Sequence, residues 1–420
     1  MNNSGQESRN RAETLDARDP LAPFRGRFHI ADESLIYLDG NSLGRLPTAT
    51  RERLRAVVDE EWGAGLIRGW DTWIDLSRRV GDVLASGVLG VSTGEVVLCD
   101  STSVNLYKLA AAALDARPGR RVIITDDDNF PTDRYVLQGL AASRGLRLRL
   151  VKTDIDAGVD TDAVIAELDD DVALVCLSHV AYRSGARADL VGITAAAHRV
   201  GALTLWDVCH SAGSVPTPLR EAGADLAVGC TYKYLNAGPG APAFLYVRAD
   251  LQPKLRQPIW GWFGQRQQFE MGAGYDPVDT IERFGVGTPP VLGAYAALEG
   301  ALITAEAGIA AIAAKGAALT RYLIELHDAW LGAELALATP RDPGRRGAHV
   351  TLYHTSAWQI CQALKVAGVV ADYRTPDRLR IGPAPLYTRF VDVYDAMRLL
   401  RDVVRNRTYA AFPALPSRVT

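Results

Sequence analysis

Short apolar runs alternate with alanine-rich helical segments between residues 96 and 247, and this alternation limits the folds open to the chain. The apolar runs are 96–98, 122–125, 146–151, 173–177, 202–206 and 226–229. Before the fifth run, Leu190, Ile193 and Ala197 have helical spacing, and a glycine ends the helix just ahead of the next strand. Alternating strands and helices form parallel sheets covered by helices, so the sequence predicts an α/β fold with a mostly parallel mixed sheet.

The 420 residues divide into a large domain, a small domain and an N-terminal region. The predicted regions are 1–60, an N-terminal arm and helix that pack with the small domain; 61–300, the large domain; and 301–420, a smaller α+β C-terminal domain. The chain up to Arg18 is predicted to be a frayed or arm-like leader, and a helix is predicted from the N-cap Thr48 to about Glu60. A long helical stretch is predicted from Pro290 to about Leu331.

The composition is that of a globular protein, with 48% hydrophobic residues, 23% charged residues and a net charge of −3. It favours a small-molecule partner and argues against nucleic acid or a membrane surface. No apolar run approaches the roughly 18 residues of a membrane span, and residues 1–20 lack a signal-peptide core, so a cytoplasmic location is expected. The five scattered cysteines are interpreted as buried free thiols, and no metal site is predicted.

An acid and a lysine each follow the end of a predicted strand. Asp207 comes directly after the run 202–206, and Lys233 lies shortly after the run 226–229. Their spacing is about one strand–helix–strand unit, so both groups reach the same edge of a parallel sheet. Such a pair suits pyridoxal phosphate, because the amine binds the aldehyde and the carboxylate keeps the ring nitrogen protonated. Taken singly, Lys233 could be a solvated loop lysine and Asp207 a helix N-cap.

Three successive hydroxyl residues, Ser101, Thr102 and Ser103, stand at the start of a predicted helix. Helix capping needs one hydroxyl, whereas three favour an anion site made of hydroxyls and backbone N–H groups. Phe130 follows another strand, where its aromatic face could stack on a cofactor ring, although by itself this segment is only a turn.

The chain resembles the kynureninase family of pyridoxal phosphate enzymes, in its bacterial type, over nearly the full length. The motifs that carry the resemblance are YLDGNSLG at 37–44, STSVN at 101–105, FPTD at 130–133, LSHV at 177–180, DVCH at 207–210, YKYLN at 232–236, GWFG at 261–264 and APLY at 384–387. The resemblance implies the aspartate aminotransferase fold (fold type I, class V-like) and a homodimer whose sites lie at the subunit interface.

The resemblance also implies roles for individual residues. The implied catalytic residues are Lys233, Tyr232 and Asp207. The implied cofactor-binding residues are Thr102, Ser103, Phe130, Asp133, Ser178, Asp207, His210, Tyr232, Lys233, Trp262 and Thr288. Among these, Trp262 would come from the second subunit, and His210 could instead be an ordinary core histidine.

Four residues are implied in substrate binding. Arg380 matches the arginine that holds the substrate α-carboxylate, a task suited to a planar guanidinium, although spacing alone does not separate it from two neighbouring arginines. Asn41 and Thr288 are also expected at the substrate. Trp73 could wall the aromatic pocket or be a plain core tryptophan. Animal-type relatives place asparagine at the position of Thr288, so Thr288 favours kynurenine over 3-hydroxykynurenine.

The implied reaction is hydrolysis of L-kynurenine to anthranilate and L-alanine in tryptophan catabolism or NAD biosynthesis through the kynurenine pathway, with 3-hydroxykynurenine as a second possible substrate. Lys233 would move the α-proton, and Tyr232 would donate or relay a proton. Another fold type I enzyme is the alternative. An aminotransferase needs the same lysine and acid, whereas a cysteine desulfurase needs a nucleophilic cysteine on a mobile loop, and Cys361 falls within a helical pattern. A non-catalytic relative would be expected to lose Lys233, Asp207 or Arg380.

Overall fold

The structure, a computed structural model, describes residues 3–414. Its α-helices are α1 (Asn3–Ala17), α2 (Thr48–Ala56), α3 (Trp70–Trp73), α4 (Leu76–Leu84), α5 (Thr102–Asp115), α6 (Pro131–Arg144), α7 (Thr161–Ala166), α8 (Leu190–Arg199), α9 (Leu219–Ala222), α10 (Val291–Ala307), α11 (Ile309–Trp330), α12 (Ala357–Val366) and α13 (Phe390–Arg405). Two π-helical segments, Val57–Ala64 and Ala85–Leu89, continue α2 and α4.

The strands form three separate sheets. They are β1 (Ile36–Tyr37), β2 (Val96–Leu98), β3 (Val122–Asp126), β4 (Arg147–Val151), β5 (Val172–Ser178), β6 (Leu203–Asp207), β7 (Leu226–Gly229), β8 (Phe244–Val247), β9 (Ala336–Leu337), β10 (Val350–Tyr353), β11 (Val369–Val370), β12 (Asp372–Arg374) and β13 (Arg378–Ile381). Every predicted strand between residues 96 and 229 is present, with ends that agree within one residue. The α/β prediction is therefore confirmed.

The central sheet has the strand order β2-β8-β7-β6-β5-β3-β4. Neighbours from β7 to β4 are parallel, whereas β8 runs antiparallel to both β7 and β2. The sequence analysis missed β8 because the loop before it contains no helix and so breaks the alternating pattern. In register, Ser178 pairs with Asp207, and Asp207 pairs with Val228. The carboxyl ends of β5, β6 and β7 therefore meet at one edge.

Side chains on the central strands point alternately into two apolar layers. On β3, Val122 and Ile124 pack in the layer that includes α4, α8 and α10, whereas Ile123 packs in the layer with α5 and α6. All three side chains are fully buried. Because helices cover both faces, these strands are continuous apolar runs, which is why they could be recognised in the sequence.

The N-terminal segment is a docked helix, so the first of the two alternatives predicted up to Arg18, a frayed leader, is wrong for the described residues, whereas an arm that packs on another part of the chain agrees with them. Helix α1 packs along α13, and its residue Ala12 is fully buried. The carboxylate of Asp16 accepts hydrogen bonds from the backbone N–H groups of Phe390 at 2.7 Å and Val391 at 3.0 Å, at the start of α13. The sequence hides this packing because α1 is almost entirely polar.

Two predicted helix boundaries also differ from the structure. Thr48 is the first residue of α2, and Pro47 takes the N-cap position without a side-chain hydrogen bond. The helical stretch from Pro290 to Leu331 is interrupted at Gly308, whose φ of +77° suits glycine. Helices α10 and α11 are bent by 81° across this break, and within residues 3–414 no single helix is long and apolar enough to cross a membrane.

The second sheet, in the order β12-β13-β10-β9, is antiparallel and packs with α11, α12 and α13 in a core of its own. Strand β13 is central in this sheet. Its residue Arg380 is in register with Thr351 on one side and Asp372 on the other. A bridge between Asp39 and Gly382 places the segment 39–44 at the end of the same strand. Arg380 is thus held where the N-terminal segment meets the small domain.

The contact between α10 and the loop after Lys233 predicts an unusual response to Gly300→Ala. In most exposed helix positions this change stabilises a protein by about 1 kcal/mol. At Gly300 a Cβ atom would lie 1.8 Å from the backbone oxygen of Leu235, so α10 or the loop must move. We expect the free energy of unfolding to fall by about 2 kcal/mol or more in chemical denaturation.

Gly139→Ala is the matched control, because Gly139 also lies inside a helix but a Cβ atom there would meet nothing within 4 Å. This variant should be as stable as the parent chain or slightly more stable. Equal stability of both alanine variants would contradict the tight contact between α10 and the loop.

Candidate active site

A cavity of about 160 Å³ lies at the carboxyl edge of β5, β6 and β7. It brings together most of the side chains predicted to bind the cofactor. Those that line it are Thr102, Ser103, Phe130, Asp133, Ser178, Asp207, His210, Tyr232 and Lys233. A larger cavity of about 670 Å³, next to His179 and Arg187, contains none of the predicted residues. The chemical groups, and not the volume, therefore single out the smaller cavity.

Asp207 and Lys233 meet as the strand order predicted. Asp207 is the last residue of β6 and is 6% exposed. Its Oδ1 accepts a hydrogen bond from the backbone N–H of Cys209 at 2.7 Å, which fixes the carboxylate at the strand end. Lys233 lies in the turn after β7, with its Nζ 3.3 Å from Nε2 of His210. The amine and the carboxylate thus line the same cavity from neighbouring strands.

A second carboxylate, Asp133, is buried beside Asp207 in the first turn of α6. Burial raises the pKa of Asp133 well above its usual range, and the negative charge of Asp207 raises it further. The Oδ2 atom of Asp133 is buried and has no hydrogen-bond partner among the described residues. A buried pair of carboxyl groups with an unsatisfied oxygen is an environment that favours a bound cation or an N–H donor, such as a protonated ring nitrogen.

The hydroxyl residues of the predicted anion site stand at the N-terminus of α5. Ser101 is the N-cap, and its Oγ accepts a hydrogen bond from the backbone N–H of Val104 at 3.4 Å. Thr102 and Ser103 begin the helix and line the cavity. Capping thus uses one hydroxyl and leaves two facing the cavity, at a helix end whose free N–H groups favour a phosphate.

Phe130 supplies an aromatic ring to the wall of the cavity. The residue is 38% exposed, and its ring packs against Tyr182 in a T-shaped contact, with the centroids 5.3 Å apart at 86°. Ser178 donates a hydrogen bond from Oγ to Oδ1 of Asn129 at 2.7 Å, just before Phe130. An exposed aromatic ring held by its neighbours can accept a flat cofactor ring on its free face.

The pKa values of the basic side chains around Lys233 are lowered by burial. Burial, with the charge of Lys233 adding to it, lowers the pKa of His210 well below the usual value. Burial lowers the pKa of His349 to about 3, and its ring centroid lies 5.7 Å from that of His210. Both imidazoles are neutral at pH 7, so His210 can accept a hydrogen bond from the lysine amine.

Tyr232 adjoins the lysine in sequence and in space. Nζ of Lys233 lies 5.8 Å from the centroid of the Tyr232 ring. Burial, with the nearby thiols adding to it, raises the pKa of Tyr232 above its usual value. Its phenol therefore stays protonated at neutral pH and is available as a hydrogen-bond or proton donor.

Arg380 and Asn41 lie next to this cavity and do not line it. Arg380 is 1% exposed, and its Nη1 donates to the backbone oxygen of Tyr182, a residue that lines the cavity. With the Asn41 amide oriented for hydrogen bonding, its oxygen accepts from Nη2 of Arg380 at 3.1 Å. The two predicted substrate-binding residues are therefore in contact with each other.

Three predicted residues lie away from the cavity within a single chain. Trp73 is in the core of the large domain, where its Nε1 donates to Glu61 at 2.7 Å. Trp262 is 36% exposed and packs against Phe263. Thr288 lines a different cavity, together with Phe263. The structure places Trp73 as a packing residue, and the roles of all three at the site stay predictions.

Other residues of the cavity were not predicted from the sequence. They are Thr132, Tyr182, Cys209 and the alanines Ala241 and Ala243. Tyr182 follows β5 just as Lys233 follows β7, so the strand-end argument could have found it. Cys209 lies inside a motif that was recognised, but a small thiol gives no chemical signal of its own.

The cysteine expected to mark a desulfurase is not available for such chemistry. Cys361 lies within α12, is 2% exposed, and its Sγ donates to the backbone oxygen of Ala371 at 3.3 Å. Burial raises the pKa of its thiol to about 12. A buried, protonated thiol is a poor nucleophile, as the sequence analysis expected.

The solved structures most similar to this chain include sulfur-metabolising enzymes. Cysteine desulfurase from Thermococcus onnurineus NA1 superposes with a TM-score of 0.76 over 89% of this chain and 95% of that chain, at 18% identity. A C-DES mutant with glycine covalently linked to the PLP cofactor superposes with a TM-score of 0.75 over 90% of this chain and 99% of that chain, at 20% identity. At this identity the likeness shows the fold alone, which is the predicted fold type I.

Sequence relatives define the family. Residues 312–400 match the family described as kynureninase C-terminal domain. Kynureninase from Pseudomonas fluorescens is 44% identical over 412 residues, which cover 96% of this chain and 97% of that protein. Kynureninase from Burkholderia pseudomallei (strain 1106a) is 44% identical over 414 residues, again covering 96% and 97%. The chain therefore belongs to the kynureninase family.

Proposed function

We propose that this chain hydrolyses L-kynurenine to anthranilate and L-alanine with pyridoxal phosphate as cofactor. The observation that carries the proposal is the cavity in which Lys233, the Asp133–Asp207 pair and the helix-end hydroxyls of Thr102 and Ser103 come together. Family membership selects this reaction from those that the same fold supports.

The residues of the cavity fit each part of the cofactor. Thr102 and Ser103, at the N-terminus of α5, would hold the phosphate. Asp207, with Asp133 beside it, would accept a hydrogen bond from the N–H of the ring. The same N–H group would provide a polar partner for the buried Oδ2 of Asp133. Phe130 would cover one face of the ring. When bound, pyridoxal phosphate supplies an electron sink for the negative charge that develops on the substrate carbons.

Lys233 and Tyr232 carry the proton transfers, and His210 orients the lysine. Nζ of Lys233 is the base that takes the substrate α-proton, and the neutral imidazole of His210, 3.3 Å away, orients it. Tyr232, whose pKa is raised mainly by burial, keeps its proton and can donate it to the substrate Cβ when the Cβ–Cγ bond breaks. Hydrolysis places the oxygen of a water molecule on Cγ, which leaves as the carboxyl carbon of anthranilate.

We further propose that the working protein is a homodimer in which each chain completes the site of its partner. Apolar side chains are unusually exposed on the segment that carries Trp262. Trp260 is 61% exposed, Phe269 69% and Met271 70%. Exposed apolar surface of this kind is typical of an interface. A shared site would also give Trp262 and Thr288 a role that they lack within one chain.

A cytoplasmic location in a kynurenine-degrading pathway completes the proposal. All five cysteines are free thiols, which is typical of proteins from a reducing compartment. Release of anthranilate and alanine from kynurenine would serve tryptophan catabolism, whereas hydrolysis of 3-hydroxykynurenine would release 3-hydroxyanthranilate and alanine and would serve NAD biosynthesis.

The central test is the purified protein with pyridoxal phosphate and L-kynurenine. We expect a yellow protein that releases fluorescent anthranilate and an equal amount of alanine. Lys233→Ala should lose at least about 1,000-fold in kcat, because both the covalent attachment point and the base are removed. Lys254→Ala, a control in which the exposed Nζ pairs only with Asp250, should keep its activity.

Two results would reject the proposed reaction. Normal turnover by Lys233→Ala would remove the lysine from the mechanism. Consumption of a 2-oxo acid without release of anthranilate would identify an aminotransferase instead.

The shared site can be tested by mixing two inactive variants. Lys233→Ala lacks the lysine, and Trp262→Ala lacks the side chain proposed to reach the partner. If Trp262 serves the partner's cavity, each mixed dimer contains one intact site. After unfolding and refolding of an equal mixture, about a quarter of the parental activity should return. Recovery no greater than the mean of the two variants alone would show that Trp262 serves its own chain or neither.

Substrate preference is predicted to depend on Thr288. Thr288→Asn introduces an amide that can pair with the additional hydroxyl of 3-hydroxykynurenine. We expect the ratio of kcat/KM for 3-hydroxykynurenine to that for kynurenine to rise about tenfold. Thr280→Asn, at an exposed position on the same segment, is the control and should leave the ratio unchanged. A parent enzyme that already prefers 3-hydroxykynurenine would contradict the assignment.

A further inference from the structure

The guanidinium of Arg380 is already engaged before any substrate arrives. Its Nε donates to Oδ1 of Asp372 at 2.7 Å, and its Nη2 donates to Oδ2 of the same carboxylate. Nη2 also donates to Oγ of Ser42 at 3.0 Å. One whole edge of the guanidinium, Nε with Nη2, therefore faces a resident carboxylate.

The opposite end of Arg380 is bonded to a residue of the active site. Nη1 donates to the backbone oxygen of Tyr182, a residue that lines the catalytic cavity. The second N–H of Nη1 has no partner among the described residues. A substrate carboxylate that approaches from the cavity would thus meet Nη1 first.

Asp372 is itself fixed from several sides. The side chain is 2% exposed. Its Oδ2 accepts from Oγ of Ser42 at 2.8 Å and pairs with Nη2 of Arg374 at 2.9 Å. Burial opposes ionisation of Asp372, but the charges of Arg380 and Arg374 and the hydrogen bonds from Arg380 and Ser42 together outweigh it and keep the pKa of Asp372 below its usual value. Nearby Asp39 has its pKa raised to about 7, by burial and then by the charge of Asp372. Asp372 is therefore the carboxylate of this cluster that stays ionised.

We propose that Asp372 is a positioning residue for substrate binding, a role that rests on the proposed function. By occupying the Nε and Nη2 edge of Arg380, with Ser42 bridging the two side chains, it presents Nη1 to the α-carboxylate of the substrate. The substrate then binds end-on to a guanidinium whose rotation is blocked. Arg374 and Arg380 carry two positive charges, and Asp372 carries one negative charge. A net positive charge therefore remains to attract the substrate carboxylate.

Asp372→Asn tests the role, because the amide keeps the shape but loses the charge and one acceptor. We expect KM for L-kynurenine to rise about tenfold while kcat changes less than about threefold. The calorimetric Kd of kynuramine, which is kynurenine without its carboxylate, should stay within about twofold of the parent value. This split separates carboxylate positioning from a general loss of structure.

Asp156→Asn is the matched control. Asp156 pairs with Arg378 in the same two-bond manner, Nε to Oδ1 at 2.8 Å and Nη2 to Oδ2 at 2.9 Å, on the same strand β13. Because neither member of this pair forms a hydrogen bond or ion pair with Arg380 within residues 3–414, KM should stay within about twofold.

If Asp372→Asn does not fold, Ser42→Ala gives the same test, with an expected rise in KM of about threefold and the same unchanged Kd for kynuramine. An unchanged KM, or an equal change in the Kd of both ligands, would overturn the positioning role. A parent protein that releases no anthranilate would reject the proposed function. In that case the calorimetric comparison of L-kynurenine with kynuramine would still test the role of Asp372.

Discussion

The structure depends on a buried pair of carboxyl groups at the edge of a parallel sheet. Asp207 ends β6, and Asp133 lies beside it in the first turn of α6. Two like charges so close together cannot both ionise cheaply in a buried site, and the pKa of Asp133 is raised by burial and by Asp207. The pair therefore favours a positively polarised partner. The neighbouring turn supplies an amine, and the N-terminus of α5 supplies an anion site.

The lysine loop is connected mechanically to the substrate-binding arginine. The backbone N–H of Gly44 donates to the oxygen of Tyr232 at 2.8 Å. Two residues earlier, Ser42 contacts both Arg380 and Asp372. The segment 39–44 thus joins the turn that carries Lys233, at the edge of the seven-stranded sheet, to strand β13 of the four-stranded sheet. Its motif was recognised in the sequence, but its position between the two sheets required the structure.

The sequence predicted those features that follow from local patterns. Strands buried on both faces are continuous apolar runs, so β2, β3, β5, β6 and β7 could be located within a residue, and with them the meeting of Asp207 and Lys233. The edge strand β4 is partly exposed and was located by its leucines. Features that depend on distant contacts were missed. Helix α1 is polar and gains its order from packing on α13, and β8 follows a loop without a helix. The partners of Arg380 come from segments remote in sequence, so spacing could not distinguish it from its neighbours.

The central claim is that Lys233 is the lysine that binds pyridoxal phosphate. The most direct measurement is borohydride reduction of the holoenzyme, followed by peptide mapping with mass spectrometry. The account predicts that the pyridoxyl group is found on the peptide that contains Lys233. Labelling of a different lysine, such as the buried Lys108 beside Asp100, with Lys233 unmodified, would contradict it.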